Sequence, residues 1–229
     1  VNRCALNNGQ PVSVVIADDH PIFRQAIRLA MEQACSECRI LEANDFDALD
    51  ALLQDDSDHD LVLLDLFMPG VEGFSGLLYL GKAYTDLPVV MISANEDPAV
   101  MQRALDYGAS GYIPKSSSVT DIIDAISTVL QGEIWMPAVA AKPGRGLSAA
   151  EAQAAERLQQ LTPQQFRVLN MMCRGLANKN IADQLDLAEA TVKVHVTAIM
   201  RKLGVTNRTQ AVLMANRLAA SEPGNPQAD

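Results

Sequence analysis

Asp60-Leu-Val-Leu-Leu-Asp65-Leu-Phe-Met-Pro-Gly70 decides the fold of this chain. A short apolar run ends in a carboxylate, and a Pro-Gly turn follows closely. Three other runs behave alike. Val12 to Ala17 ends in Asp18-Asp19, Pro88 to Ile92 in Ser93-Ala94, and Gly111-Tyr-Ile-Pro114 in Lys115. Short apolar runs that each deliver a polar group at the C-terminal end describe a parallel sheet with a site along one edge, where open α/β sheets bind ligands. Three carboxylates, a hydroxyl and an ammonium at that edge suit a divalent metal and a phosphoryl group.

Amphipathic stretches alternate with these runs, and the spacing predicts helices over 21–34, 46–54, 73–84, 98–107 and 119–131. Asp97-Pro98 reads as an N-cap and first helical residue, and Gly108 as a stop. Ser118 caps the fifth helix and Gly132 follows it. The expectation for residues 1–137 is a flavodoxin-like, doubly wound, five-stranded parallel α/β sheet with right-handed crossovers.

Residues 138–160 read as a linker. Small residues, glycines and a proline come first, and Ser148-Ala-Ala-Glu151 then opens a candidate connector helix with a capping-box pattern. Strand patterns are absent from Leu161 onward. A helix that starts at Thr162-Pro-Gln-Gln165 and stops at Gly175, short helices over 178–185 and 189–203 and another from near Asn207, joined by tight turns, describe an all-α, four-helix helix-turn-helix bundle over 161–220. Residues 221–229 read as a disordered tail.

The formal charge of −10 conceals an asymmetry. Residues 1–137 carry 7 Lys and Arg against 21 Asp and Glu, a net of −14. Residues 161–217 carry 8 against 3, a net of +5. The second part is therefore able to meet a polyanion. No apolar stretch reaches the roughly 18 residues of a membrane span, and the N-terminus has no signal-peptide pattern. Cys4, Cys35, Cys38 and Cys173 are too scattered for a disulfide framework, so the expectation is a reduced, cytoplasmic protein without a membrane partner. The pair Cys35-Ser-Glu-Cys38 closes a helix instead of opening one, and reads as two ordinary thiols. Trp135 reads as a packing anchor.

Each polar residue also has a plain structural role available. Asp19 and Asp97 are placed to cap helices, and Lys115 fits a solvated surface. Those roles do not explain why four strand ends carry complementary groups. Three close carboxylates repel unless a cation compensates them.

The order Asp18-Asp19, Asp65-x-x-Met68-Pro69-Gly70, Ser93-Ala94, Tyr112 and Lys115 resembles a bacterial response-regulator receiver domain. The resemblance implies that Asp65 accepts a phosphoryl group from a sensor histidine kinase or a small phosphodonor. It implies Mg²⁺ on Asp19, Asp65 and the Phe67 carbonyl, with Asp18 acting through water. Lys115, Ser93 and the Ala94 N–H would hold the phosphoryl oxygens, and Tyr112 would reorient on phosphorylation. The protein would then be a phosphoryl acceptor and not an enzyme. Two alternatives remain open here: a receiver that is never phosphorylated, and a phosphatase with an aspartyl-phosphate intermediate.

The stretches Leu161-Thr-Pro-Gln-Gln-Phe-Arg-Val-Leu, Gly175-Leu-Ala-Asn-Lys-Asn-Ile-Ala, Thr191-Val-Lys-Val-His and Lys202-Leu-Gly-Val-Thr-Asn-Arg-Thr-Gln-Ala resemble the LuxR-type helix-turn-helix. The whole chain is similar to NarL/FixJ-type transcription regulators. Val192, Val196, Ile199 and Leu203 form one apolar stripe on the second helix of the turn-linked pair, the recognition helix by position. Lys193, Val194 and Thr197 would then face base edges, and Lys179, Arg201, Lys202 and Arg208 would meet phosphates. Ala188 stands where a capping Ser is usual, at a cost of about 0.5–2 kcal/mol. His195 reads as wedged at a helix contact. The resemblance further implies an inactive state whose receiver covers the recognition helix, and a homodimer on DNA once active.

Overall fold

The structure, a computed structural model, describes residues 11–35, 37–56, 58–71, 73–140 and 147–218. Five parallel strands form one sheet: β1 (Val12–Ala17), β2 (Cys38–Ala43), β3 (Leu61–Asp65), β4 (Val89–Ser93) and β5 (Gly111–Pro114). Their order is β2-β1-β3-β4-β5. The chain reverses its winding direction between β1 and β3, and such a switch point opens a crevice at the carboxyl ends of the strands. Register sets Asp65 beside Ile92, and Ser93 beside Pro114. The polar strand ends therefore share one edge.

Five helices wrap the sheet: α1 (Pro21–Ala34), α2 (Phe46–Asp55), α3 (Ser75–Ala83), α4 (Pro98–Asp106) and α5 (Val119–Leu130). Their bounds fall within two residues of the predicted ones. Asp45, Asp97 and Ser118 accept from backbone N–H groups at the starts of α2, α4 and α5. Such caps satisfy donors that have no partner within the helix. Asp19 does not cap α1, whose first residue follows His20. Strand β2 has no apolar run of its own in the sequence. Its residues Cys-Arg-Ile-Leu-Glu-Ala are half exposed, as an edge strand allows. Trp135 extends the other edge: its N–H donates to Ser110 O, and its carbonyl accepts from Tyr112 N–H.

One core lies between the sheet and α1 and α5, built on Val14, Ile16, Ile27, Met31, Ile113 and Ile126. The other lies between the sheet and α2, α3 and α4, and it continues without a break into the C-terminal helices. Those are α6 (Ala149–Leu158), α7 (Pro163–Cys173), α8 (Asn178–Gln184), α9 (Glu189–Leu203) and α10 (Arg208–Asn216). Ser148 with Glu151, and Thr162 with Gln165, form complete capping boxes. Ala188 precedes α9 with no side-chain cap. Gly204 closes α9 in the left-handed conformation at φ 66°, which glycine adopts without steric cost. The expected disordered tail and residues 141–146 of the expected linker lie outside the described residues.

The cysteines correct an expectation. Cys35 is disulfide-bonded, whereas Cys38 and Cys173 form no disulfide. Burial pushes the Cys38 thiol up to about 11. The scatter of cysteines along the chain carries no information about which of them meet in space.

Candidate functional site: an acidic pocket and a recognition helix

Asp18, Asp19, His20 and Asp65 converge at the carboxyl ends of β1 and β3. Asp65 is 2 % exposed and Asp18 is 0 % exposed. Lys115 Nζ reaches both carboxylates, at 2.8 Å from Asp18 Oδ2 and 2.9 Å from Asp65 Oδ2. Its ammonium also lies 5.2 Å from the centre of the Phe23 ring, a favourable cation–π placement. The Lys115 N–H donates to Ser93 O at 2.7 Å, which fastens the end of β5 to the end of β4. The Phe67 N–H donates to Asp65 Oδ1 at 3.3 Å, so the loop after β3 turns back toward the pocket.

Burial is the main reason that the Asp65 carboxyl sits above its ordinary range, and the nearby Asp18 charge adds to it. Lys115 and the Phe67 N–H oppose the shift without cancelling it. The pocket thus holds more negative charge than its ammonium compensates. Asp18 Oδ2 and Asp19 Oδ1 are buried and accept no hydrogen bond, although Lys115 stands at ion-pair distance from Asp18 Oδ2 and His20 Nδ1 lies 2.7 Å from Asp19 Oδ1. Hard carboxylate oxygens in this condition fit a Mg²⁺ ion, which takes oxygen ligands at about 2.0–2.1 Å.

Ser93 is fully buried, and its Oγ accepts from the Asn95 N–H at 3.1 Å. Ala94 is exposed on the same loop. The Tyr112 ring is buried, at 0 % exposure, and its hydroxyl donates to Asn95 O at 2.7 Å. Burial pushes that hydroxyl up to about 12.

Among the described residues, the receiver half does not cover the outer face of α9. Lys193 and Val194 stand out from it at 63 % and 67 % exposure. Lys193, Val194, Thr197, Ala198 and Arg201 line one open hollow. Lys193 pairs with Glu189 at 2.8 Å, one turn earlier, and Lys179 is exposed on α8. The Thr197 hydroxyl donates to Lys193 O at 2.9 Å, within its own helix. His195 is half-buried.

Lys202 and Arg208, two of the residues expected to meet phosphates, make hydrogen bonds inside the domain. Lys202 Nζ donates to Gln160 O at 2.8 Å and to Gln165 Oε1 at 2.7 Å. Arg208 donates to Leu176 O at 2.6 Å and to Asn178 Oδ1 at 3.3 Å. These cations satisfy carbonyl groups near the ends of α6 and α7, which otherwise lack partners. Neither bond is visible as a sequence spacing, because each joins residues 30 or more apart.

What the receiver half covers is α6, α7 and the end of α10. Asp50 of α2, 1 % exposed, accepts from Arg167 of α7 and from the Tyr79 hydroxyl at 2.7 Å. Phe166 stacks on Tyr79 at 4.7 Å and leans on Phe46 at 5.8 Å. Arg103 of α4 pairs with Glu151 of α6 at 2.8 Å, and its guanidinium lies 5.3 Å from the centre of the Phe74 ring. The Phe74 N–H donates to Leu218 O at 3.1 Å.

Comparison with known proteins agrees with both halves. Residues 14–127 match the response regulator receiver domain family, and residues 159–215 match the bacterial regulatory proteins of the luxR family. The chain therefore belongs to the NarL/FixJ-type two-component response regulators, a receiver joined to a LuxR-type DNA-binding domain. The glycerol metabolism activator of Pseudomonas putida is 43 % identical over 207 residues, covering 88 % of this chain and 94 % of that protein. The nitrate/nitrite response regulator NarL of Escherichia coli K12 is 30 % identical over 217 residues, covering 93 % and 98 %. Among solved structures, the RcsB response regulator of Salmonella typhimurium aligns over 89 % of this chain and 97 % of its own, with a TM-score of 0.54 and 25 % identity. A complex of RcsB with DNA aligns over 90 % and 98 %, with a TM-score of 0.53 and 26 % identity. No described helix is long and apolar enough to cross a membrane.

Proposed function

We propose that this regulator is controlled by Mg²⁺-dependent phosphorylation of Asp65 and acts as a transcription activator. The carrying observation is the Asp65 carboxylate itself, set 2.9 Å from Lys115 Nζ among carboxylates that exceed their cation. The kind of regulation follows from the relative named as an activator of glycerol metabolism.

Asp19, Asp65 and the Phe67 carbonyl would hold Mg²⁺, with Asp18 acting through water, and the ion would supply charge compensation for an incoming phosphoryl group. Asp65 is the nucleophile. Lys115 neutralises the transferring oxygens from the β5 side, and in-line transfer demands little beyond such positioning and charge. Ser93 Oγ and the Ala94 N–H then hold the phosphoryl oxygens. The donor is a sensor histidine kinase or a small phosphodonor, and the setting is the cytoplasm.

The response runs through the loop after β4. Phosphoryl contact draws Ser93 Oγ from the Asn95 N–H, and Asn95 O is what holds Tyr112. The same loop leads into α4, whose Arg103 grips Glu151. Repacking α4 loosens the seat of α6 and α7. Release of the recognition helix is therefore release of the whole domain that carries it. The freed domains pair as a homodimer on a two-fold DNA site. Lys193, Val194 and Thr197 read base edges, while Lys179 and Arg201 meet phosphates.

Incubation with Mg²⁺ and acetyl phosphate followed by intact mass tests the chemistry. One added phosphoryl group is expected, lost in Asp65→Asn and in excess chelator. Labelling that persists in either condition sinks this reading.

A further inference from the structure

We infer that Arg157 of α6 is a positioning residue for the recognition helix, acting on its C-terminal end without touching DNA. This rests on the reading of Lys193, Val194 and Thr197 as base contacts. The sequence places Arg157 in the linker, outside the DNA-binding helices. In the fold, Arg157 is half-buried, and its Nη1 donates to Leu203 O at 2.6 Å. Leu203 is the last residue of α9, and the last carbonyls of a helix have no partner within it. A guanidinium there also meets the negative end of the helix dipole.

The two helix ends fit each other from both sides. Gly204 leaves room for the guanidinium: a Cβ there would lie 2.7 Å from Arg157 Nη1 and 3.1 Å from Cζ. Lys202, in the last turn of α9, returns the contact by donating to Gln160 O, just past the end of α6. Ala154, Ala155 and Leu158 of α6 belong to the same buried core as Val196, Ile199 and Leu203 of α9.

The start of α9 has no comparable hold. Ala188 supplies no side-chain cap, and the Glu189–Lys193 pair is exposed. Lys193 stands about 15 Å along the helix axis from Leu203. A tilt of α9 about its anchored end is therefore largest where bases are read, and such contacts tolerate displacements of only about 0.5 Å.

Binding isotherms of the full chain over a range of salt test the role, on an operator selected from random-sequence DNA and on random duplex. Lys193→Ala serves as the control for base reading. Arg157→Ala and Arg157→Met are the test variants, and the second keeps the packed aliphatic stem. Both should weaken operator binding about tenfold and random binding by less than about twofold, with an unchanged salt slope. Amide hydrogen exchange should quicken at least about fivefold at Gly204 and Val205 and stay unaltered in α7. A salt slope reduced by about one, with equal losses on both DNAs, makes Arg157 a phosphate contact and overturns the inference. Faster exchange throughout the C-terminal half makes it a general stabiliser and overturns it too. Undiminished operator binding in the Arg157 variants, with a loss in Lys193→Ala, removes the role of Arg157 alone. No loss in Lys193→Ala removes the base-reading assignment, and the role of Arg157 with it.

Discussion

The Arg167 guanidinium, on the DNA-binding half, donates to the Asp50 carboxylate on the receiver half, with Nε 2.8 Å from Oδ2. Asp50 is 1 % exposed, and Tyr79 and Gln54 donate to it as well. The node therefore holds a buried charge whose only cation comes from the other domain, among the bonds described. Breaking such a pair from one side leaves a carboxylate uncompensated. Arg167→Ala should cost on the order of 2–4 kcal/mol, reduced from the fully buried case because Arg167 is partly exposed. Scanning calorimetry is expected to show the two halves unfolding separately in this variant. A single transition at the native midpoint contradicts the role given to Arg167. Its DNA affinity without any phosphodonor should also rise.

Asp65 should destabilise the free fold. Its carboxyl is raised by burial and by Asp18, so the folded state binds the proton more tightly than the unfolded chain. Stability from this group is thus lost as pH rises through the unfolded and folded values. Asp65→Asn is expected to raise the melting temperature at neutral pH without metal, with a gain that shrinks as the medium is acidified through the carboxylate range. Mg²⁺ should reverse the order, because a bound cation inverts the local charge balance. A melting temperature lowered by Asp65→Asn at neutral pH without metal contradicts this.

Basic residues in the C-terminal half should divide into two groups. Arg208→Ala leaves the Leu176 carbonyl without its donor, and Lys202→Ala does the same for Gln160 O. Arg208→Ala should lower stability by about 1–3 kcal/mol, and Lys202→Ala by about 0.5–1.5 kcal/mol because water can reach the exposed Gln160 carbonyl; both should weaken DNA binding mainly through that loss. Lys193→Ala should leave stability nearly unchanged, since its pair with Glu189 is exposed. It should cost about 1–3 kcal/mol on the specific site and much less on random DNA. Chemical denaturation paired with binding titrations separates the groups. Equal losses on both DNAs for Lys193→Ala would place it with the phosphate contacts.

The hydroxyl of Tyr112 is the joint between the pocket and α4. Tyr112→Phe removes the bond to Asn95 O, at a cost of about 0.5–1.5 kcal/mol. Labelling of Asp65 should persist while its effect on DNA affinity falls. Undiminished coupling in Tyr112→Phe would take Tyr112 out of the route.

Strands β1, β3, β4 and β5 are legible in the sequence because buried strands of a parallel sheet read as continuous apolar runs. Edge strand β2 carries Arg39 and Glu42 among its apolar residues and is half exposed, so no continuous run marks it. The acidic pocket is legible because its groups all close strands. His20 stands next to the acidic pair, yet nothing in the spacing says that its ring turns inward. Its backbone conformation beside Pro21 is the signal that was available. The Asp50–Arg167 node spans 117 positions, and no local pattern carries it. For the same reason, surface charge and structural charge look alike in the sequence at Lys202 and Arg208.

The central claim is that a phosphoryl group on Asp65 governs DNA binding, and the most direct test is a binding isotherm. The full chain is titrated onto its selected operator at fixed salt, with Mg²⁺ present, with and without acetyl phosphate. Tighter binding is expected only with the phosphodonor, and Asp65→Asn should bind equally in both conditions. Identical isotherms for the native chain, with Asp65 shown to be phosphorylated, would contradict the account.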